Sequence, residues 1–162
     1  MKITIDIDKK CSENEIIIKC NEITDEVLRL QNAINSYSTK NMKMELVSEG
    51  KEYYVPVDEI IFFQTEGEFI KAHTRNDMFN TKHKLYELEQ LLPHYFIRIS
   101  KSAIVNSKEI YAITRNLTAS SKIEFKDTYK HIFVSRGYYK PLKSKIEEMR
   151  NIRWKNQGEY FG

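Results

Sequence analysis

Apolar and polar residues alternate at the start of this chain. Ile3, Ile5 and Ile7 are separated by Thr4, Asp6 and Asp8, the period of a strand with one buried face. Glu15–Cys20, built on Ile16-Ile17-Ile18, reads as a second strand. The spacing then lengthens: Ile23, Val27, Leu30, Ile34 and Tyr37 recur at helical intervals. Thr24 is placed to cap that helix, and Asp25 and Glu26 suit the positive end of its dipole. Residues 1–43 are therefore expected to form a strand–strand–helix extension, closing in a polar linker at Ser38–Met42.

From Met44 the pattern returns to short β-type runs, at 44–48, 52–57, 60–65, 68–74 and 79–83. Gly50, Pro56, Gly67 and Asn76-Asp77 mark the turns between them. Leu85, Leu88, Leu91 and Leu92 predict one helix, stopped by Pro93. Strands are expected again at 95–99, 102–105, 109–115, 121–126 and 129–134. A final amphipathic helix carries Tyr138, Leu142, Ile146 and Met149, with Pro141 placed in its first turn, where amides lack helical partners. Strands recurring every roughly 8–12 residues with few helices predict a mainly β domain at 44–150, an antiparallel sandwich of small sheets with short helices. Residues 151–162 read as a tail, with Trp154 as its anchor on the body.

Composition narrows the function. A 41% hydrophobic chain with ten Tyr and eight Phe can build a core. Its longest apolar runs, such as Ile60-Ile61-Phe62-Phe63, fall far short of the roughly 20 residues a membrane-spanning helix needs. The N-terminus has acids where a signal peptide would be apolar, so a cytoplasmic location is expected. Cys11 and Cys20 match neither a zinc pair nor a redox motif. His73, His83, His94 and His131 show no metal-ligand spacing and lie beside no nucleophile signature. An enzyme is not expected, nor a metal or cofactor.

Charge changes the picture most. Residues 1–93 hold 12 Lys/Arg against 17 Asp/Glu, whereas residues 94–155 hold 14 against 5. A basic segment of this kind suits a polyanion, because Lys and Arg gain affinity by releasing counterions from phosphates. The bland alternative is a solvated basic face.

Two segments, Val55-Pro56-Val57-Asp58-Glu59-Ile60-Ile61-Phe62-Phe63-Gln64-Thr65-Glu66-Gly67-Glu68-Phe69-Ile70 and Phe96-Ile97-Arg98-Ile99-Ser100-Lys101-Ser102-Ala103-Ile104-Val105-Asn106, flank the leucine helix. Val134-Ser135-Arg136 and a basic helix follow. Together they resemble the LytTR DNA-binding domain of LytR/AlgR/AgrA-type regulators over residues 44–147, in the stand-alone form without a receiver domain. The resemblance implies elongated small β-sheets whose loops, not a recognition helix, enter successive major grooves of double-stranded DNA.

Carried over by position, the DNA-facing loops are Glu66–Phe69, Ser100–Ser102 and Ser135–Gly137. Lys101 and Arg136 would read bases or the adjacent backbone. Ser100, Ser102, Lys140 and Lys143 would position phosphates, as would Arg98 if no structural ion pair holds it. Relatives often have His where this chain has Ser100, which puts more of the recognition on Lys101. Glu68 is repelled by phosphate and fits chiefly where it accepts from cytosine. Asn106 reads as a turn residue satisfying backbone groups.

The resemblance further implies a homodimeric regulator, in some relatives restrained by a membrane-protein inhibitor. Residues 1–40, with an apolar stripe and no evident core, are the candidate dimerisation or docking element; simple packing on the main domain is the other reading. Two competitors remain: RNA binding, because aromatics interleave with basic residues in Tyr129–Phe133 and Tyr138–Lys140, and a protein-interaction signalling module. Against RNA stands the strand alternation, which predicts that Phe133, with Tyr138 and Tyr139, fills the core.

Overall fold

The structure, a computed structural model, describes residues 16–39 and 42–157. Helix α1 (Asp25–Thr39) opens at Thr24, whose hydroxyl accepts from the Val27 N–H at 3.4 Å. It takes in Ser38 and Thr39, so the expected linker is shorter than its polar composition indicates. Residues 16–20 adopt no regular structure, and Ile16 and Ile17 are exposed, which overturns the strand expected there. A strand holds only where a neighbour takes up its ladder of N–H and C=O groups. The strand expected at Ile3–Ile7 lies outside the described residues.

Among the described residues ten strands form two antiparallel sheets. The larger has seven strands: β1 (Lys43–Ser48), β2 (Lys51–Pro56), β3 (Phe62–Glu66), β4 (Phe69–His73), β5 (Met78–Thr81), β6 (Phe96–Ser100) and β7 (Ala103–Asn106), in the order β2-β1-β5-β4-β3-β7-β6. The smaller comprises β8 (Ile110–Thr114), β9 (Ser121–Phe125) and β10 (His131–Val134), with β9 central. Helix α2 (Leu85–Leu91) links β5 to β6, and α3 (Arg136–Gln157) follows β10. The expected mainly β, sandwich-like architecture is the one observed.

Positive φ angles make the tight hairpins possible. Glu49 and Gly50, at φ 50° and 75°, join β1 to β2, the pairing a type I′ turn needs. At the β3–β4 turn only Gly67 is positive, at 61°, with Glu68 second in the loop, as in a type II′ turn.

Around the start of β3 the large sheet is buried on both faces, which explains the unbroken run Ile60–Phe63. Ile60 and Phe63 join Leu46, Val57, Leu88 and Ile104 in a core roofed by α2. Ile61 and Phe62 join Ile99, Val105, Ile123, Ile132 and Leu142 in a second core, between the large sheet, the small sheet and α3. Asn106 is buried and does the expected turn work: its Nδ2 donates to the Ile60 carbonyl at 3.0 Å, and its Oδ1 accepts from the Lys108 N–H at 3.2 Å.

Two further expectations are corrected. Helix α3 starts at Arg136, so Pro141 sits inside it, beyond the first turn, and the Gly137 carbonyl loses its helical donor. Phe133 does not fill the core: Ile132 and Val134 take the buried positions of β10, and Phe133 points outward with His131, 51% exposed. Tyr138 and Tyr139 do pack against the second core.

Candidate nucleic-acid interface

Strand pairing brings the three loops to one end of the molecule. β3 ends at Glu66 beside the start of β7, with Gln64 opposite Ala103. The Thr65 N–H donates to the Ser102 carbonyl at 2.8 Å, which ties the β3–β4 loop to the β6–β7 turn. The third loop is joined by an irregularity. Arg98 pairs with Ile104 and Ser100 with Ala103, leaving Ile99 as an extra residue in β6, a β-bulge. The Ile99 carbonyl accepts instead from the Ser135 N–H at 2.9 Å. Ser135 in turn accepts from the Tyr138 N–H as α3 begins, so Arg136 stands at the helix start beside the turn that carries Lys101.

The side chains at this end divide sharply. Lys101 and Arg136 are exposed and make no ion pair or side-chain hydrogen bond with any described residue. Lys140, one turn into α3, is exposed as well, and Lys143 forms only a loose pair with Glu147 at 3.9 Å. Glu68 and Phe69 are exposed at the tip of the first loop. Ser102 is exposed.

Two residues expected to touch DNA are spent internally. Ser100 is buried; its hydroxyl lies 3.3 Å from that of Ser102 and accepts from the Ser102 N–H at 3.1 Å. Arg98 is held in a structural ion pair: Nη1 donates to Glu89 at 2.7 Å, Nε to the Ser100 carbonyl at 2.6 Å and Nη2 to the Lys101 carbonyl at 2.5 Å. The condition set for Arg98 as a phosphate contact is not met.

Below the first loop, Glu66 is fixed by His73 at 3.0 Å and Lys71 at 3.5 Å. Because a carboxylate only accepts, His73 Nε2 carries the proton and donates to it. His73 stacks on Phe62 at 4.2 Å, and burial, then the nearby Lys130 charge, pull its pKa from 6.5 down to about 4 against the opposing pull of Glu66. The ring is neutral near pH 7.

At the opposite end, where the β4–β5 and β9–β10 turns meet, basic residues are used differently. Arg75 pairs with Glu109 and reaches the Lys126 carbonyl. Lys130 donates to the carbonyls of Thr74 at 2.8 Å and Asp77 at 2.5 Å, and Thr128 donates to that of Arg75 at 2.8 Å. Together they clamp one sheet to the other. Thr65, Glu89 and the Ile99 bulge escaped the sequence reading, because each acts through backbone geometry or a distant partner that no local pattern reveals.

A mainly β body presenting unspent Lys and Arg on loops at one end is the form of a DNA-binding transcriptional regulator. Residues 50–147 match the LytTr DNA-binding domain family, and the chain belongs to it. An uncharacterized HTH-type transcriptional regulator of Staphylococcus aureus strain MSSA476 is 32% identical over 146 residues, covering 90% of this chain and 98% of that protein. Its counterpart in strain MRSA252 is 30% identical over the same shares. The LytTr DNA-binding domain of a Bacillus cereus response regulator shares the fold, with a TM-score of 0.61 and 21% identity, covering 65% of this chain and 97% of that one. Among the described residues no two consecutive helices are joined by a turn, so the helix-turn-helix in the relatives' name has no counterpart here. No helix among them is long and apolar enough to cross a membrane.

Proposed function

We propose that the protein reads specific double-stranded DNA sequences in the major groove through its three clustered loops, and does so as a homodimer. The observation that carries this reading is the convergence of Lys101 and Arg136, exposed and unspent, on one end of a rigid β body. Arg136 has the planar fork that matches the O6 and N7 edge of guanine, and Lys101 can donate to the same acceptors. Ser102, Lys140 and Lys143 would hold phosphates and set the register. Glu68 at the loop tip would accept from a cytosine amino group, a donor with no acceptor on the same base beside it in the major groove. For the dimer, the support is the exposure of Ile23 and Leu28 in and beside α1, on the segment that precedes the reading domain.

Selection of bound duplexes from a random library at about 150 mM salt, followed by titration against salt, tests this reading. Recovery of a repeated motif with a steep salt slope is the expected result. A single unrepeated motif removes the homodimer. One observation favours single strands instead: Tyr129, His131 and Phe133 are exposed together at β10, where bases could stack. A parallel selection from random single-stranded RNA that enriches a motif where the duplex library yields none would therefore overturn the proposal.

A further inference from the structure

The turn that carries Lys101 is tied down on its Ser102 side, where the Ser102 carbonyl accepts from the Thr65 N–H and the Ser102 N–H donates to the Ser100 hydroxyl, but neither bond reaches Lys101. Only Lys101 and Ser102 separate β6 from β7, the bulge at Ile99 loosens the ladder just before it, and β6 is the edge strand of its sheet. Packing cannot fix Lys101, which is exposed. What meets the turn on its Lys101 side is the Arg98 guanidinium, whose Nε and Nη2 take the carbonyls of Ser100 and Lys101 while Nη1 is held by Glu89. Glu89 lies on α2, whose Leu85 and Leu88 are anchored in the first core. A planar fork can bridge two adjacent carbonyls and a carboxylate at once, and an ammonium cannot reproduce that geometry.

We propose that Arg98 is a positioning residue that sets the orientation of Lys101 toward DNA, and that Glu89 locks it in place from α2. The inference rests on the proposed role of this turn in reading DNA. Its sign is opposite to that of simple charge. Glu89 is an acid beside a surface meant for phosphate, so its neutralisation would by electrostatics alone tighten binding. A lock predicts that the same change loosens it.

The test uses the full-length protein, Glu89→Gln and Arg98→Lys, with two measurements: affinity for a selected duplex across salt, and hydrogen exchange at the Lys101 and Ser102 amides without DNA. Ser102 is a direct reporter, because its N–H is bonded to the Ser100 hydroxyl inside the turn. In Glu89→Gln, exchange at these amides rises and affinity falls about tenfold with the salt slope unchanged, the loss expected when a charge-assisted bond that pre-orders the competent turn is weakened. Arg98→Lys behaves alike.

Equal or tighter binding by Glu89→Gln overturns the proposal. So does a salt slope lowered by about one in a third variant, Arg98→Ala, which removes the charge that Arg98→Lys keeps, since that is the mark of a lost phosphate contact. If wild-type protein enriches no duplex, the DNA reading fails by itself. Exchange then decides the lock: faster amides uphold it, and unchanged amides sink it.

Discussion

Arg75 and Lys130 at one end of the β body and Lys101 and Arg136 at the other are put to opposite uses. At the end where the small sheet meets the β4–β5 turn, Arg75 and Lys130 are consumed by Glu109 and by backbone carbonyls, and hold two sheets together. At the other end Lys101 and Arg136 are left without internal partners, while Arg98, between them, is consumed as fully as Arg75. The count of positive charges is therefore a poor guide to where a polyanion binds. On the proposed reading the site is marked not by one unspent cation, since Lys126 at the clamped end is exposed as well, but by two that the loops bring together.

The comparison can be broken most severely by removing both unspent cations. Lys101→Ala with Arg136→Ala is expected to cost about 2–6 kcal/mol on a selected duplex, the sum of two base or backbone contacts, with the melting temperature unchanged. Competition binding at fixed salt measures it. A loss under threefold would show that these residues do not read DNA.

At the other end the expected effect is reversed in kind and smaller. Arg75→Ala leaves the partly buried Glu109 unpaired and should lower folding stability by about 1–2 kcal/mol in urea titrations, while the folded protein keeps its DNA affinity. A variant that binds DNA less well yet folds as stably would erase the distinction between the ends.

The effect that is smallest at neutral pH sharpens the link between them, since His73 sits on β4 near Lys130 yet donates to Glu66 under the first loop. Its pKa is about 4 in the folded chain against 6.5 unfolded, so the unfolded chain takes up the proton first as pH falls. Stability is fully present above 6.5 and declines through the window down to about 4. His73→Gln keeps a donor for Glu66 and should flatten that decline in melting curves taken across the window. An equally steep decline in the variant would move the titration elsewhere.

Most of the β domain was legible in the sequence because alternation and turn residues are local. The strands from β1 to β10 fall within a few residues of the runs that predicted them, and the Leu85–Leu92 spacing found α2. Failures arose where tertiary context decides. Ile16–Ile18 has strand composition but no strand beside it among the described residues. Phe133 lost the core to Ile132 and Val134, because register, not hydrophobicity, chooses the buried face. Within the candidate site, position along the chain found the loops, yet could not tell that Arg98 and Ser100 turn inward while Lys101 turns out. That distinction depends on Glu89, nine residues from Arg98, and on a bulge that no composition announces.

The extra residue in β6 also bears on how such a regulator can change over generations. Ile99 spends its carbonyl on Ser135, so the spacing between the β6–β7 turn and the start of α3 is set by one unpaired residue. Deleting it, or adding another, would swing Arg98 and Ser100 to the wrong sides and part the two loops at once. If Lys101 and Arg136 read DNA as proposed, a lineage of these proteins would acquire new binding sites by exchanging the side chains at 101 and 136, but not by altering the length of chain that presents them. The positions most open to a change of letter are the ones least open to an insertion.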